Sequence, residues 1–137
     1  MSFVPERRTI EPMEFIEAPA FTRYVSAYLP DDEYRQVQMQ LAAYPQRGDL
    51  MPGTGGFRKL RWRDLKRGKG RRGGLRIIYY YFQADQQIWL ITVYGKDEAS
   101  DLTSKQVKAL KSALEAELHA RQAERRARNI RSKRTRS

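Results

Sequence analysis

The sequence contains no cysteine and a single histidine, His119. The lack of cysteine excludes disulfide bonds and thiolate-bound zinc or iron–sulfur centres, and one histidine excludes any mechanism that needs two. No group of histidine, aspartate and glutamate has the spacing of metal ligands, so we predict no metal site. Proton transfer by this chain would therefore depend on lysine, arginine or tyrosine.

The chain also has no long apolar segment. No run approaches the roughly 20 residues that a membrane-spanning helix needs. Near the N-terminus, Pro5, Arg7, Arg8 and Glu11 interrupt any apolar stretch that could resemble a signal peptide. The absence of cysteine is compatible with a reducing compartment. We therefore expect a cytoplasmic protein without a membrane partner.

Positive charge is plentiful and unevenly distributed. The 137 residues, a length typical of one domain, carry 27 Lys and Arg against 16 Asp and Glu, a net charge of +11. Residues 57–76 hold 10 basic residues and 1 acidic one, and residues 120–137 hold 8 and 1, so the other 99 residues total −5. Such segregation of charge points to a polyanionic partner more strongly than an evenly basic surface would.

The pattern of apolar residues predicts an α+β domain. Residues 1–12 show no periodicity and are interpreted as a flexible leader, residues 13–119 as the folded domain, and residues 120–137 as a basic, disordered tail that follows a helix end near His119. A small, mostly antiparallel sheet with helices on one face fits the order of the elements. The predicted strands are 13–17, 57–62, 75–82 and 87–94, with glycine-rich loops at 48–56 and 68–74 and a hairpin turn at 84–86.

Three helices are predicted from apolar residues that recur every three or four positions. Thr103 and Gln106 have the spacing of a capping box at the start of the third helix. The inner faces are predicted to be Phe21, Tyr24, Val25, Tyr28 and Leu29 in the first, Tyr34, Val37, Leu41 and Tyr44 in the second, and Val107, Leu110, Leu114 and Leu118 in the third.

Three cations are predicted to meet on one face of the sheet. On the strand 57–62, Leu60 and Trp62 are the natural core-facing pair, which directs Lys59 and Arg61 to the opposite face. Arg76 opens the next strand among apolar residues, where a charge is costly unless it is paired or solvated. Together they could bind a phosphodiester and stabilise the additional negative charge that develops when a phosphate is attacked.

Composition alone leaves three interpretations of this basic stretch open: an ordinary solvated surface, a non-catalytic nucleic-acid patch, and a catalytic site. The loop GKGRRGG at 68–74 lacks the Lys-Ser/Thr ending and the following helix of a nucleotide-binding loop, so we predict no nucleotide cofactor. Among the strand aromatics, Tyr94 lies at a strand end beside Lys96 and could stack on a base.

Four segments of the chain resemble the HigB-like branch of the RelE/ParE toxins of bacterial type II toxin–antitoxin modules. They occur in the family's order and extend over about three quarters of the chain. They are MEFIE at 13–17, GTGGFRKLR at 53–61, GKGRRGGLRIIYY at 68–80 and YGKDEASDL at 94–102.

The resemblance implies a compact antiparallel sheet with two N-terminal helices and one C-terminal helix. It implies a ribosome-dependent endoribonuclease that cleaves mRNA in the A site of the 70S ribosome and so inhibits translation, without a cofactor. Its implied partners are a cognate HigA-like antitoxin protein, the small-subunit ribosomal RNA and mRNA. The same fold also hosts other functions, so a non-catalytic inhibitor that binds RNA or the ribosome and a ParE-type inhibitor of DNA gyrase remain alternatives.

The resemblance assigns roles to individual residues. Lys59 and Arg61 occupy the places of two family lysines that are two residues apart, Arg76 matches the arginine that opens the next strand, and Gly95-Lys96 matches a Gly-Lys pair. The family's following arginine is Asp97 here, and no tyrosine lies near Thr103, so its acid and base do not transfer directly. The predicted catalytic residues are Lys59, Arg61, Arg76 and Lys96, and the predicted RNA-binding residues are Arg58, Lys69, Arg71, Arg72 and Tyr94.

Proton transfer is assigned to the lysines. A lysine among other cations releases its proton more easily, because like charges disfavour the charged form, which makes Lys59 or Lys96 the candidate general base. Arg61 and Arg76 would stabilise the transition state. The remaining cations would anchor the RNA backbone, through contacts that weaken as the salt concentration rises.

Overall fold

The computed structural model describes residues 13–65, 70–98 and 102–136, and of residues 70–73 and 135–136 it describes the backbone alone. The predicted leader 1–12 lies outside these residues. The described chain contains three α-helices and a five-stranded sheet, which confirms the α+β class. In chain order the elements are β1 (Glu14–Glu17), α1 (Pro19–Tyr28), α2 (Asp31–Ala43), β2 (Asp49–Leu50), β3 (Arg58–Asp64), β4 (Gly70–Phe82), a 3-10 turn (Gln83–Asp85), β5 (Gln87–Gly95) and α3 (Ser104–Arg136).

The sheet has the strand order β1-β5-β4-β3-β2. It is mixed, because β1 runs parallel to β5 whereas all the other neighbours are antiparallel. The chain forms two compact units: residues 53–55 with residues 102–136, which include α3, and the rest of the described residues. None of the helices in the described ranges is both long and apolar enough to cross a membrane.

The core of the first unit lies between one face of the sheet and helices α1 and α2. Leu60, Ile77 and Val93 are neighbours across three strands on this face. They are buried together with apolar side chains from both helices, as the alternation in the strands and the helical stripes predict. The helix residues fully buried in this core are Phe21 on α1, Val37 and Leu41 on α2, with Leu29 nearly so between the two helices.

Two tyrosines predicted to face inward are exposed instead. Tyr24 is 43% exposed because it lies at the edge of the α1 stripe, roughly 60° around the helix from Phe21 at about 100° per residue. Tyr44 is 64% exposed, because α2 ends at Ala43 and the φ of −135° at Tyr44 takes it out of helical phase.

The hairpin between β4 and β5 is confirmed, but its first strand begins earlier than predicted. The 3-10 turn leads into Gln86, whose φ of 52° closes the connection. The predicted loop 68–74 is wrong for residues 70–74, which extend β4, since pairing of Gly70 with Asp64 outweighs the weak strand preference of glycine. Gly74 is required there, because a Cβ atom would lie 2.9 Å from Cβ of the buried Asp64.

A buried carboxylate joins α2 to β3. Glu33 accepts hydrogen bonds from the Trp62 indole at 2.9 Å and from Nε and Nη2 of Arg63 at 3.0 and 3.1 Å. The paired Arg63 guanidinium is the main cause that holds the pKa of the Glu33 carboxyl below its ordinary value, and burial opposes it. The interaction fixes one end of β3 to the helical layer.

Replacing Glu33 by glutamine is expected to lower the free energy of unfolding by about 1–3 kcal/mol, because the three N–H donors of Trp62 and Arg63 lose a charged acceptor. A depressed carboxyl pKa contributes stability above the unfolded-state pKa near 4.5, and this contribution is lost as the pH falls below it. The difference between wild type and Glu33→Gln in urea denaturation should therefore be constant above about pH 5.5 and shrink below pH 4.5. Glu115→Gln, at an exposed position of α3, is the control; an equal effect of both variants would contradict the assignment.

The second unit consists of α3 and the short glycine-containing turn 53–55. The predicted capping box is confirmed: the Thr103 amide donates to Oε1 of Gln106 at 2.8 Å, and the Gln106 amide donates to Oγ1 of Thr103 at 3.1 Å. A Cβ atom at Gly55, where φ is +88°, would lie 3.3 Å from Cδ2 of Leu114, so the turn approaches the helix closely.

The predicted helix end near His119 and the disordered tail are wrong within the described residues, because α3 continues to Arg136. Arginine, alanine and glutamate favour helix even where no apolar stripe remains. Ion pairs one turn apart add to this, with Glu117–Arg121 at 2.8 Å and Glu124–Arg128 at 3.6 Å.

Candidate functional site

A row of three side chains crosses the sheet on the face opposite the α1–α2 core. Arg61 of β3 is paired directly with Arg76 of β4, and Arg76 is paired directly with Tyr94 of β5. Directly paired residues project from the same face of a sheet. Leu60 and Ile77, one position away, belong to the core, which places the row on the other side.

Lys59 lies on the same face as the row. It is two residues before Arg61 on β3 and is paired with Ile78 of β4. The structure thus places Lys59, Arg61 and Arg76 on one face, as the alternation predicts. We name Lys59, Arg61, Arg76 and Tyr94 the cationic row.

The two arginines of the cationic row differ in environment. Arg76 is only 8% exposed, and its Nη1 donates to the Leu75 carbonyl at 3.2 Å. The Arg61 side chain is 59% exposed, and its Nη1 lies 3.3 Å from Oδ2 of Asp49. An exposed pair of this kind contributes little energy, so Asp49 only moderates the positive charge of Arg61.

Asp49 is a site residue that the sequence pattern does not predict. It belongs to β2, where it is paired with Lys59 and so faces the same side as the cationic row. A strand of two residues has no detectable alternation, and the surrounding glycines and prolines predict a loop. No signal in the sequence could have identified this carboxylate as part of the site.

Lys96 follows β5 in a turn close to the cationic row. Its backbone amide donates to the Gly74 carbonyl at 2.8 Å, two residues before Arg76, and its side chain is exposed. Glu98 orders this turn by accepting hydrogen bonds from the Gly95 amide at 3.0 Å and from the Tyr28 hydroxyl. The turn brings an exposed lysine to the end of the row.

Arg58 lies apart from the cationic row. The alternation of β3 places it on the core face opposite Tyr79, and its Nη1 donates to the carbonyls of Gln46 and Gly48 at 3.0 and 2.7 Å. Its position therefore gives it a structural role in holding the 46–48 loop. Its proposed contact with RNA stays a prediction. Lys69 lies outside the described residues, as do the side chains of Arg71 and Arg72.

An aromatic cluster borders the cationic row on the same face. Tyr80 lies 5.4 Å from Phe57 and 4.6 Å from Phe82 between ring centroids, and Trp89 lies 5.8 Å from Phe82. Tyr80 follows Ile78 by two residues on β4 and is paired with Trp89. Half of the strand aromatics face the core and half face this side of the sheet, as alternation predicts. The aromatic cluster packs beside the cationic row and gives its side chains a rigid support.

A shallow groove of about 590 Å³ lies at the end of α2. No predicted site residue contributes to it. The loop beneath it is rigid, because the buried Tyr79 hydroxyl donates to the Pro45 carbonyl at 2.8 Å and accepts from the Gly48 amide at 2.9 Å. Burial raises the pKa of the Tyr79 phenol, which keeps it protonated and able to donate. The groove is lined by Ala43, Tyr44, Pro45, Gln46, Arg47, Tyr81 and Gln83.

The cationic row can bind an anion and stabilise charge that develops on it. Two guanidinium groups and an ammonium group offer several donors to the oxygens of one phosphate, and the exposed Lys96 amine lies nearby. The Tyr94 hydroxyl is buried, so the structure does not present it to a bound phosphate. The described residues include no group of three or more carboxylate or imidazole side chains that could hold a metal ion. No protein-family model matches the chain.

Proposed function

We propose that this chain is a HigB-like toxin of a bacterial type II toxin–antitoxin module, a metal-independent endoribonuclease that cleaves mRNA in the ribosomal A site. The order β-α-α-β-β-β-β-α, in which β2 is the two-residue strand, supports the likeness to the RelE/ParE fold. The four segments that resemble the family contain β1, the start of β3, most of β4 and the end of β5. A HigA-like antitoxin protein, the small ribosomal subunit and mRNA are the proposed partners.

The observation that carries the proposal is the direct pairing of Arg61 with Arg76, with Lys59 two residues away. Guanidinium groups on adjoining strands can donate hydrogen bonds to different oxygens of one bound phosphate. Their effect is strongest where charge increases during reaction, because fixed donors in a partly buried site stabilise that charge without reorganising. The cationic row therefore suits a pentavalent phosphorane better than a passive contact.

The proposed reaction is attack of an RNA 2′-hydroxyl on the adjacent phosphorus. The 2′-oxygen–phosphorus bond forms and the phosphorus–5′-oxygen bond breaks, which yields a cyclic phosphate and a free 5′-hydroxyl. Lys59 and Lys96 are the groups proposed to take the 2′-hydroxyl proton and to supply a proton to the leaving 5′-oxygen. Arg61 and Arg76 bind the non-bridging oxygens.

Induced expression followed by mapping of mRNA 5′ ends tests this proposal. Wild type should arrest growth and produce new 5′ ends within codons, and Lys59→Ala/Arg76→Ala should do neither. Arg23→Ala/Arg35→Ala, at exposed positions of α1 and α2, is the charge-matched control and should behave as wild type. Arrest without new 5′ ends would favour a non-catalytic RNA-binding inhibitor, and DNA-damage signalling without translational arrest would favour an action on gyrase; either outcome would refute the nuclease.

A further inference from the structure

The last part of α3 is a basic helix with no apolar face. We name residues 120–136 the basic arm. At about 1.5 Å per residue it is roughly 25 Å long, and residues 120–137 carry eight Lys and Arg against one Glu. Its described side chains are exposed except for those of Arg121 and Ala127, which are partly exposed. The only large apolar residue in it, Ile130, is 54% exposed.

From these features we infer that the basic arm is a second RNA site, which binds the phosphates of duplex RNA separately from the cationic row. Its choice of RNA over DNA rests on the proposed function. The excess of positive charge favours a polyanion as ligand, because each phosphate that the arm's cations neutralise releases a condensed counterion. The arm would hold structured RNA while the cationic row acts on a single strand.

The distribution of charge around the helix favours a groove. Consecutive helix residues are about 100° apart, so Arg125, Arg126 and Arg128 point in different directions. An elongated cation with charge on several sides can contact phosphates on both sides of a groove, and duplex RNA is bound mainly through phosphates and 2′-hydroxyls across its wide, shallow minor groove. A helix that lies on a membrane surface needs an apolar face, which the arm lacks. Binding of single strands relies on aromatic stacking, and the arm contains no aromatic residue.

The arm is ordered before it binds. Glu124 lies 3.6 Å from Arg128 and 3.7 Å from Arg131, and Glu117 lies 2.8 Å from Arg121. These ion pairs between residues of α3 stabilise the helical conformation, and the excess of basic residues keeps the arm strongly positive. A ligand site that is already helical avoids the entropy cost of folding on binding.

The test compares two variants that each lose four charges. The arm variant is Arg125→Gln/Arg126→Gln/Lys133→Gln/Arg134→Gln, since glutamine keeps helix propensity and leaves the Glu124 pairs described above intact. The control is Arg23→Gln/Arg35→Gln/Lys105→Gln/Lys108→Gln, at exposed positions of α1, α2 and the start of α3. Binding to a blunt 20-base-pair RNA duplex is measured by fluorescence anisotropy from 50 to 200 mM salt, and circular dichroism checks the helix content.

The arm variant is expected to bind the duplex about tenfold or more weakly at 100 mM salt, with a salt dependence reduced by about 2–4 in log–log slope. The control should stay within about threefold of wild type. Binding of wild type is also measured to a DNA duplex of the same sequence, to single-stranded RNA and to phosphatidylserine vesicles. Equal losses in both variants, no loss in the arm variant, or tighter binding of wild type to any of these three probes than to the RNA duplex would each overturn the inference.

The same experiment separates this site from the proposed nuclease. Lys59→Ala/Arg76→Ala should lose mRNA cleavage and retain binding to the duplex. A wild-type protein that cleaves no mRNA, combined with an arm variant that loses duplex binding, would refute the nuclease and leave the RNA site standing. Normal cleavage with unchanged duplex binding in the arm variant would refute the arm alone.

Discussion

Replacing Arg76 by glutamine is expected to reduce the rate of mRNA cleavage on ribosomes by about 10²- to 10³-fold, the cost of removing one fixed donor to a developing oxyanion. The reason is its position: it lies in the middle of the cationic row, between Arg61 and Tyr94, and is largely shielded from water. In such surroundings a charge acts on a bound phosphate with little solvent screening. Primer extension on programmed ribosomes measures the rate.

Arg76→Gln needs controls because the residue is buried. Arg61→Gln changes an exposed arginine that already contacts Asp49, so it should fold normally and lose a smaller factor, about 10- to 100-fold. Arg76→Lys should retain part of the activity, because it keeps the charge but not the fork of donors. Cleavage by a folded Arg76→Gln within threefold of wild type would show that the row does not act on the phosphate.

Replacing Phe21 by alanine is expected to lower the free energy of unfolding by about 3–5 kcal/mol, the usual cost of removing a phenylalanine from a core that cannot collapse around the cavity. Phe21 is fully buried, and its ring lies 5.6 Å from the Tyr34 ring of α2. Its loss therefore affects the contact of both helices with the sheet. Urea denaturation followed by circular dichroism measures the change.

Tyr24→Ala is the matched control, three residues away on the same helix and exposed. It should cost less than about 1 kcal/mol, because surface substitutions have small effects. A loss at Phe21 no larger than that at Tyr24 would mean that α1 does not pack on the sheet as described. This result would be independent of the outcome of the cleavage experiment.

The alternation of β3 allowed the orientation of the site to be predicted from sequence. Leu60 and Trp62 are apolar between charged neighbours, so Lys59 and Arg61 had to face away from the core. The same rule places Arg58 on the core face; its assignment to the RNA-binding set came from its place in a basic run, which takes no account of the pleat. Local periodicity thus predicted the face correctly where it was applied.

The pairing of Arg61 with Arg76 could not be predicted in the same way. The register of β3 against β4 depends on which residues form the connection between the two strands. The glycines at 70–74 favour a loop by propensity, but Gly70 pairs with Asp64 and these residues belong to β4. Asp49 is not predicted because β2 has two residues, which is too short to show the alternation of a strand. The full length of α3 is not predicted, because the end of an apolar stripe shows only where the helix stops packing against other elements. Beyond that point, helix propensity and ion pairs one turn apart maintain the helix.

Because β2 is short, part of β3 forms an unpaired edge of the sheet. It pairs with Arg58 and Lys59 alone, and among the described residues no other strand follows β3 on this side. The backbone N–H and C=O groups along such an edge can pair with a strand from another molecule, and charged side chains commonly prevent this pairing. Arg61 and Arg63 occupy this edge, so apolar replacements at these positions would also promote self-association and loss of solubility.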